Sequence, residues 1–310
     1  MFIRRLRFYV GVARKVEMSQ NNVSQSNRAN ESTAIPSLVI TTYNKPELFK
    51  FVLETAVKQT VPPKEIIIAD DGSEEANFEV TREMRAKTSI PIIHAWQEDR
   101  GFRLNRSRNN AIALSTGNYI VLLDGDCYVN EHFIEDHIKA AKRGRFVAGT
   151  RVHLNPNRRD RILKTRNPRV TCFTPGVSKI FYAIRSPLLS AVFSKTGEKY
   201  ERTGNKIAGA NLGFWLDDVK KVNGFNEVFE GYGGDDEEFT DRLSLAGILR
   251  YRLRHLGMAY HFKHKDRPCI DRGADFDKRV AAAIEENGYT MKEEYGLTRA
   301  YREGADRIER

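Results

Sequence analysis

Apolar and polar positions fall into alternating blocks along residues 36–130, and these blocks predict strands followed by helices. The runs PSLVITT, EIIIAD, IPIIHAW and NYIVLLD are continuously apolar and rich in β-branched residues, as expected of strands buried on both faces. Between them, PELFKFVLETAVKQT, FEVTREMRAK and RLNRSRNNAIALST carry apolar residues at helical spacing. This alternation predicts an α/β, Rossmann-like fold with a mostly parallel central sheet flanked by helices.

Polar residues follow three of these strands at the point where each ends. TTYN follows Ile40, DDGS follows Ala69 and DGD follows Leu123. Because ligands of open α/β sheets bind beyond the carboxyl ends of the strands, we expect these residues to line one site. Asp124 and Asp126 would point to the same side of an extended segment, and carboxylates are ligands that Mg²⁺ and Mn²⁺ prefer. The pair indicates a metal-assisted site for a nucleotide diphosphate, with a plain Asp-Gly turn as the alternative.

The chain ends differ in character from this central region. Residues 1–18 place Phe2, Ile3 and Leu6 on one side of a helix and arginines on the other, as in helices that lie on an anionic membrane. A helix packed on its own domain is the alternative interpretation, and no secretory signal is expected because arginines interrupt the apolar residues. Residues 19–35 are polar and rich in Ser and Asn, which predicts a linker, and residues 271–310 predict a helical tail.

Hydropathy, cysteine spacing and net charge exclude some classes of protein. No run of about twenty apolar residues is present, so no helix is expected to span a bilayer. Cys127, Cys172 and Cys269 are far apart, which argues against a disulfide framework or a zinc site and favours a reducing cytosol. The net charge of +10 indicates an anionic partner, which charge alone cannot identify.

The segment FEGYGGDDEEF is the second candidate site. Gly231, Gly233 and Gly234 permit positive φ or a close approach of the backbone to a ligand, and four acids follow them. An acidic helix start favoured by the helix dipole is the alternative, and the two interpretations are compatible.

Together, SLVITTYNKPELF, IIIADDGS, RSRNNAIALSTGNYIVLLDGD and VNGFNEVFEGYGGDDEEFTDRL resemble the family 2 inverting glycosyltransferases of GT-A fold. The last stretch also resembles the galactosyltransferase-type carboxyl-terminal segment of bacterial capsule and lipopolysaccharide polymerases. The resemblance covers roughly residues 36–265, and its four motifs occur in the family's order. It implies a catalytic domain over residues 36–270, with a nucleotide-binding part at 36–130 and an acceptor-binding, catalytic part at 131–270.

The resemblance also implies roles for individual residues. The donor nucleotide-sugar would be bound by Thr41, Tyr43, Asn44, Asp70, Asp71, Arg103, Arg108, Asn109, Asp124 and Gly125. Asp70 would contact the uracil ring, and Asp124 and Asp126 would be the D-x-D motif that binds ribose and metal. Independently of the resemblance, the guanidinium groups of Arg103, Arg106 and Arg108 suit phosphate, with a solvated helix face as the alternative.

For the acidic segment, the resemblance implies that Asp236 is the base that deprotonates the acceptor hydroxyl. Asp235 would bind the acceptor with Gly233 and Gly234, and Glu237 is the alternative base.

Further along the chain, the resemblance implies that His261 completes the metal site, and Met258 three residues earlier matches a further ligand of some relatives. Met258 is a doubtful ligand because thioethers are soft, and His255 or His264 could replace His261. Mn²⁺ is expected ahead of Mg²⁺.

The resulting prediction is a metal-dependent hexosyltransferase that uses a UDP-sugar to build a bacterial surface glycan, such as lipopolysaccharide core, O-antigen or capsule. The basic region 158–169 suits an anionic saccharide or lipid-linked acceptor, although a solvated loop is equally consistent with it. We expect the enzyme in the cytoplasm, peripherally on the inner membrane, without nucleic acid as a partner. A nucleotidyltransferase, or a non-catalytic basic membrane- or nucleic-acid-binding protein, is the alternative, although TTYNKPELF lacks the glycine-rich loop expected of the former.

Overall fold

The four parallel strands expected from the sequence lie side by side in the centre of a nine-stranded sheet. They are β1 (Pro36–Thr42), β2 (Glu65–Asp70), β3 (Ile92–Trp96) and β4 (Tyr119–Asp124), in the order β3-β2-β1-β4. The computed structural model describes residues 33–171, 173–178, 180–196, 207, 209–231, 233–263, 292 and 294–310. The predicted segment 1–18, nearly all of the predicted linker, Cys172, His264, Cys269 and residues 271–291 lie outside this range.

Helices connect these strands as expected. α1 (Pro46–Ala56), α2 (Glu75–Arg85) and α3 (Leu104–Ala113) follow β1, β2 and β3 in turn. α1 begins at a proline, whose fixed φ suits the first helical turn. Asn44 and Lys45 precede it with φ of 51° and 61°, so the chain turns sharply where β1 ends.

Hydrophobic side chains pack on both faces of the sheet. In β1, Leu38 and Ile40 point to one face and pack in a cluster with Phe49 of α1. Val39 points to the other face, in a cluster with Ile112 of α3. All five are fully buried, which confirms the prediction of strands covered on both sides.

The second half of the described chain makes the sheet mixed. β9 (Asn211–Trp215) is antiparallel to both β4 and β6 (Arg145–Ala148), while β10 (Leu249–Arg252) is parallel to β6 and carries the edge strand β8 (Lys195–Thr196). A small second sheet has the order β5-β11-β7, formed by Cys127–Val129, Ala259–Phe262 and Arg151–Leu154. The helices of this half are α4 (Phe133–Ala140), α5 (Pro156–Thr165), α6 (Pro187–Phe193), α7 (Leu216–Lys221) and α8 (Asp235–Leu245), with a 3₁₀ turn at Ile180–Ala183.

The carboxyl-terminal residues belong to the same fold. α9 (Leu297–Glu303) is followed by β12 (Arg307–Glu309), which pairs antiparallel with β3 and completes the sheet. Arg299 is buried and donates to Glu227 and Asn110 at 2.7 and 2.8 Å. The sequence predicted helices here and missed the strand. Within the described ranges, no helix is long and apolar enough to cross a membrane.

Candidate active site

A cavity of about 800 Å³ opens where β1, β2 and β4 end. Residues at these strand ends lie on its wall, as expected from the topology of parallel sheets. Of the residues singled out in the sequence, those that line it are Thr41, Tyr43, Asn44, Asp71, Asp124, Gly125, Asp126 and His261. The structure therefore gathers residues that are up to 220 positions apart in the chain.

The Asp124-Gly125-Asp126 turn is held against the end of β1. Thr41 donates a hydrogen bond from its hydroxyl to the Asp124 carboxylate at 3.1 Å, and the Gly125 N–H donates to the Thr41 carbonyl at 2.7 Å. A Cβ at position 125 would overlap that carbonyl, so the turn requires glycine. Burial, and next the charge of Asp126, raise the pKa of the Asp124 carboxyl.

Two histidines of the small sheet lie side by side at the cavity wall, and one of them is close to Asp126. His261 lies in β11 with its Nε2 3.5 Å from Asp126 Oδ2, and the parallel register of β7 places His153 directly beside it. The two histidine Nδ1 atoms are 3.2 Å apart. Imidazole and carboxylate together are a donor set that Mn²⁺ accepts. Among the described residues no three His, Cys, Asp or Glu side chains form a ready-made metal site, so a cation here would complete its coordination with water or phosphate oxygens.

Arg108 joins the D-x-D turn to the acidic start of α8. Its guanidinium is buried, with Nη1 2.7 Å from Asp235 Oδ2 and 2.9 Å from Asp236 Oδ1, and Nη2 3.8 Å from Asp124 Oδ1. It also lies over the Phe225 ring at 4.9 Å. Burial disfavours the cation, but the three carboxylates outweigh that effect and raise the pKa of Arg108. Arg108 is therefore the counter-charge of an acidic cluster rather than a free phosphate ligand.

The acidic cluster is built on the glycines before α8. Gly233 and Gly234 have φ of 109° and 87°, and Gly234 caps the helix, so the carboxylates fall in its first turn. Asp236 accepts a second hydrogen bond, from the Gly209 N–H at 2.6 Å. A Cβ at position 209 would overlap the Asp236 carboxylate. The Asp236 side chain remains 20% exposed, so its carboxylate is accessible to solvent.

The four consecutive acids of α8 have different environments. Asp235 is buried, and this, with the neighbouring charge of Asp236, raises its pKa to about 7. Glu238 turns away to form a buried ion pair with Arg242, with Oε1 and Nε 2.8 Å apart. Glu237 is half-buried. Asp235 and Asp236 are thus the two acids that contact Arg108.

The two neighbouring acids at the end of β2, Asp70 and Asp71, have different environments. Asp70 is fully buried, accepts from the Ser73 N–H at 2.8 Å, and lies 2.8 Å from His94 Nε2, so it does not reach the cavity. Asp71 lines the cavity and accepts from the Gln97 amide at 2.6 Å and the Arg103 N–H at 2.9 Å. Burial raises the pKa of Asp71 to about 6.

Several other residues named from the sequence also lie off the cavity wall. The Asn109 side chain is fully buried and bonds to both backbone groups of Phe225. Arg103 lines a separate cleft. Met258 is buried in the core, and His255 contacts the Ile184 carbonyl at 3.2 Å beneath an aromatic cluster. None of these four side chains lines the strand-end cavity.

Sequence reasoning missed part of the cavity wall. Lys45, Arg151, His153 and Lys263 line it, and the two lysines and the arginine bring positive charge to a cavity that also holds carboxylates. No motif marked them, and the register of β7 with β11 is what brings His153 to the site.

Two known families match consecutive parts of the chain. Residues 37–195 match the family described as Glycosyl transferase family 2, and residues 189–265 match the one described as N-terminal domain of galactosyltransferase. Curated relatives include a hyaluronan synthase of Pasteurella multocida, 26% identical over 73% of this chain and 24% of that protein. A chondroitin synthase of Escherichia coli is 25% identical over 73% of this chain and 34% of its own length.

A validoxylamine A glucosyltransferase of Streptomyces hygroscopicus subsp. limoneus is 28% identical over 68% of this chain and 48% of its own length. The chain thus spans roughly a quarter to a half of these relatives. Among solved structures, S. aureus TarS 1-349 in complex with UDP-GlcNAc has a TM-score of 0.53 at 14% identity, covering 83% of this chain and 68% of that one. Mannosyltransferase PcManGT of Pyrobaculum calidifontis, in complex with GDP-Man and Mn²⁺, has a TM-score of 0.51 at 14% identity, over 91% of this chain and 71% of that one. At this identity both structures support the fold alone.

Proposed function

Because the chain belongs to Glycosyl transferase family 2, we propose that it transfers a hexosyl unit from a UDP-sugar to a saccharide hydroxyl, with inversion at the anomeric carbon. The product would be a bacterial surface glycan such as lipopolysaccharide core, O-antigen or capsule. One observation carries the proposal: the strand-end cavity that holds Asp124 and Asp126 is joined through Arg108 to a second, partly exposed carboxylate, Asp236. This arrangement supports a donor site in the cavity with a base for the acceptor next to it.

The donor would occupy the strand-end cavity. Thr41, Tyr43 and Asn44 would contact the nucleoside, and Asp71 would take the contact to the base because Asp70 is engaged by His94 and Ser73. The cationic groups of Arg151 and Lys263 on the wall would offset the charge of the diphosphate. None of Arg103, Arg108 and Asn109 lines the cavity, so they would position the residues of its wall rather than contact the donor.

The acceptor would be activated by Asp236. An acceptor hydroxyl is a poor nucleophile near neutral pH, so a carboxylate must take its proton as its oxygen attacks the anomeric carbon. The bond from that carbon to the diphosphate breaks on the opposite face, its electron pair goes to the phosphate oxygen, and configuration inverts. The Gly209 N–H and Arg108 would hold the Asp236 carboxylate in position, with Asp235, Gly233 and Gly234 beside the acceptor and Glu237 as the alternative base.

A divalent cation, Mn²⁺ ahead of Mg²⁺, would be held by Asp126 and His261 with Asp124 next to them. The mixed oxygen and nitrogen donor set, 3.5 Å between Asp126 and His261, fits such an ion. When bound, it would neutralise negative charge on the departing diphosphate.

The acceptor and the place of action are proposed from charge. The chain's net charge of +10 favours an anionic saccharide or lipid-linked acceptor on the cytoplasmic face of the bacterial inner membrane. The helix α5, which begins next to the cavity residue Asn155, carries much of the basic region 158–169 and would extend the acceptor site.

Incubation with a panel of UDP-sugars, with and without Mn²⁺, tests the proposal. Release of UDP from one donor, dependent on the cation, is expected. Release of pyrophosphate from a nucleoside triphosphate and a sugar phosphate would instead indicate a nucleotidyltransferase. Absence of any turnover alongside tight vesicle or nucleic-acid binding would support a non-catalytic protein.

A further inference from the structure

Large apolar side chains are exposed together on and beside α6. Leu188 and Val192 lie one helical turn apart and are 83% and 67% exposed. Phe181 and Phe193 are 45% and 40% exposed, and their rings are 5.5 Å apart. We call these four residues the α6 patch. Contiguous apolar surfaces of this kind mark sites of interaction with a protein or a membrane.

The α6 patch rests on a well-packed platform. His255 is fully buried beneath it, with ring centroids 4.7 Å from Phe181 and 5.6 Å from Phe193. Ser186 caps α6 by accepting the Leu189 N–H, and the Ser194 hydroxyl accepts from the Arg254 N–H at 2.9 Å. The exposed side chains therefore belong to an anchored element.

The segment of chain that carries the α6 patch is basic, although the carboxylates of Asp136, Glu135 and Glu131 lie near its Arg185. The sequence from Arg161 to Gly197 contains no Asp or Glu, and its basic residues are Arg161, Lys164, Arg166, Arg169, Lys179, Arg185 and Lys195. Arg254, packed against Tyr182 next to the patch, forms no ion pair with a carboxylate within the described part of the chain. An apolar surface on a segment that has basic residues and no acidic ones is complementary to an anionic lipid interface.

We propose that the α6 patch docks into the headgroup region of an anionic lipid bilayer. Leu188, Val192 and the two phenylalanines would enter the boundary between headgroups and acyl chains. Basic residues of the same segment would contact lipid phosphates, apart from Arg166 and Arg185, which pair with Glu54 and Asp136. Each apolar side chain removed from water strengthens the binding, and each basic group near the anionic surface strengthens it by a smaller amount. Neither contribution requires the predicted membrane segment at residues 1–18.

The α6 patch is connected directly to the cavity wall. Gly176, Val177 and Ser178 line the cavity, and the 3₁₀ turn that carries Phe181 begins at Ile180. Docking would thus bring the cavity close to the lipid surface. Resting on the proposed function, this favours an acceptor saccharide that is carried on a lipid.

Flotation of the full chain with phosphatidylcholine vesicles, with or without phosphatidylglycerol, tests the docking. Leu188→Glu/Val192→Glu places two acids in the α6 patch, and we expect it to lower the floated fraction at least tenfold. Ile308→Glu, at an exposed isoleucine of β12 on the edge of the sheet opposite β8, is the matched control and should float like the unaltered chain. Leu6→Glu tests the amino-terminal segment in the same way. UDP affinity, measured on every variant, reports that the cavity has folded.

The expected result is flotation that requires phosphatidylglycerol, weakens with added salt, and is lost only in the α6 variant. Equal flotation of the α6 variant and the unaltered chain, or loss in Leu6→Glu alone, would overturn the proposal. So would flotation without preference for phosphatidylglycerol. A dimer that the α6 variant dissociates, without vesicle binding, would assign the patch to a second copy instead. Failure of UDP release with intact flotation would reject the proposed function and leave the docking surface standing.

Discussion

Arg108 Nη1 donates to Asp236 Oδ1 at 2.9 Å inside the protein, although the sequence suggested that this arginine would bind phosphate. The same nitrogen donates to Asp235 at 2.7 Å. A buried carboxylate pair would otherwise repel itself, and the guanidinium provides the opposite charge that lets both acids lie in the first turn of α8. The carboxylate of Asp124 at the strand-end cavity and those of Asp235 and Asp236 in α8 therefore share one cation.

Removing the charge of Arg108 should destabilise the fold. Arg108→Gln leaves Asp235 and Asp236 without their counter-charge in a buried place, and breaking such an ion pair typically costs about 3–5 kcal/mol. The free energy of unfolding, measured in urea, checks this value. Arg106→Gln, on the same helix, is the control, because its ion pairs at 3.8 Å are partly exposed and worth less than about 1 kcal/mol. Equal losses in both variants would contradict the role given to Arg108.

The general base can be separated from its acidic neighbours by amide substitutions. Asp236→Asn keeps the shape and cannot take a proton, so kcat should fall by roughly 10² to 10⁴-fold. UDP-sugar affinity should change little, since Asp236 does not line the donor cavity. Glu237→Gln should be mild. If Glu237→Gln proved the damaging change, the base would be the next residue along the helix.

Gly209 offers a test of how the base is positioned. Gly209→Ala places a methyl group where the Asp236 carboxylate lies, and it must displace that carboxylate or the backbone N–H that binds it. We expect kcat to fall at least tenfold with UDP affinity retained. Wild-type kcat in Gly209→Ala would show that the contact between residues 209 and 236 has no part in catalysis.

Most of the fold could be predicted from the sequence because its signals are local. Continuous apolar runs specified β1 to β4, and the polar residues that follow them pointed to the cavity edge. β12 was missed because three residues with little apolar character, Arg307 to Glu309, form a strand only by pairing with β3. Such pairing is a tertiary effect that propensity does not report.

The candidate site could be predicted only in part, because strand ends can be located from the sequence whereas tertiary contacts cannot. Thr41, Asp71 and Asp124 follow from strand order, whereas the direction in which a side chain turns depends on its neighbours. Asp70 and Asn109 are residue types that could bind a donor nucleotide. Their side chains instead form hydrogen bonds inside the protein, Asp70 with His94 and Asn109 with the Phe225 backbone. His153 was missed since only the pairing of β7 with β11 brings it to His261.

The metal prediction is tested by removing one ligand at a time. Asp126→Ala should abolish cation-dependent UDP release, and His261→Ala should raise the Mn²⁺ concentration needed for half-maximal activity by about 10- to 100-fold. Met258→Leu is the control, because Met258 is buried in the core and a volume-conserving change there should leave metal dependence intact. Full activity of Asp126→Ala in excess chelator would exclude this site.

The buried carboxyl of Asp71 gives the folded protein a pH dependence of defined sign. Burial raises its pKa from 3.8 to about 6, so the folded state holds its proton more tightly than the unfolded chain does. The free energy of unfolding should therefore fall as pH rises from about 4 to about 6, and its Asp71 contribution should be constant above that.

Asp71→Asn removes this contribution. In urea unfolding at a series of pH values, wild type should lose up to about 3 kcal/mol relative to the variant across that range. Glu131→Gln, at a side chain that is 70% exposed, should leave the wild-type profile unchanged. A wild-type stability that instead rises relative to Asp71→Asn between pH 4 and 6 would mean that its hydrogen bonds from Gln97 and Arg103 stabilise the charged form more than burial disfavours it.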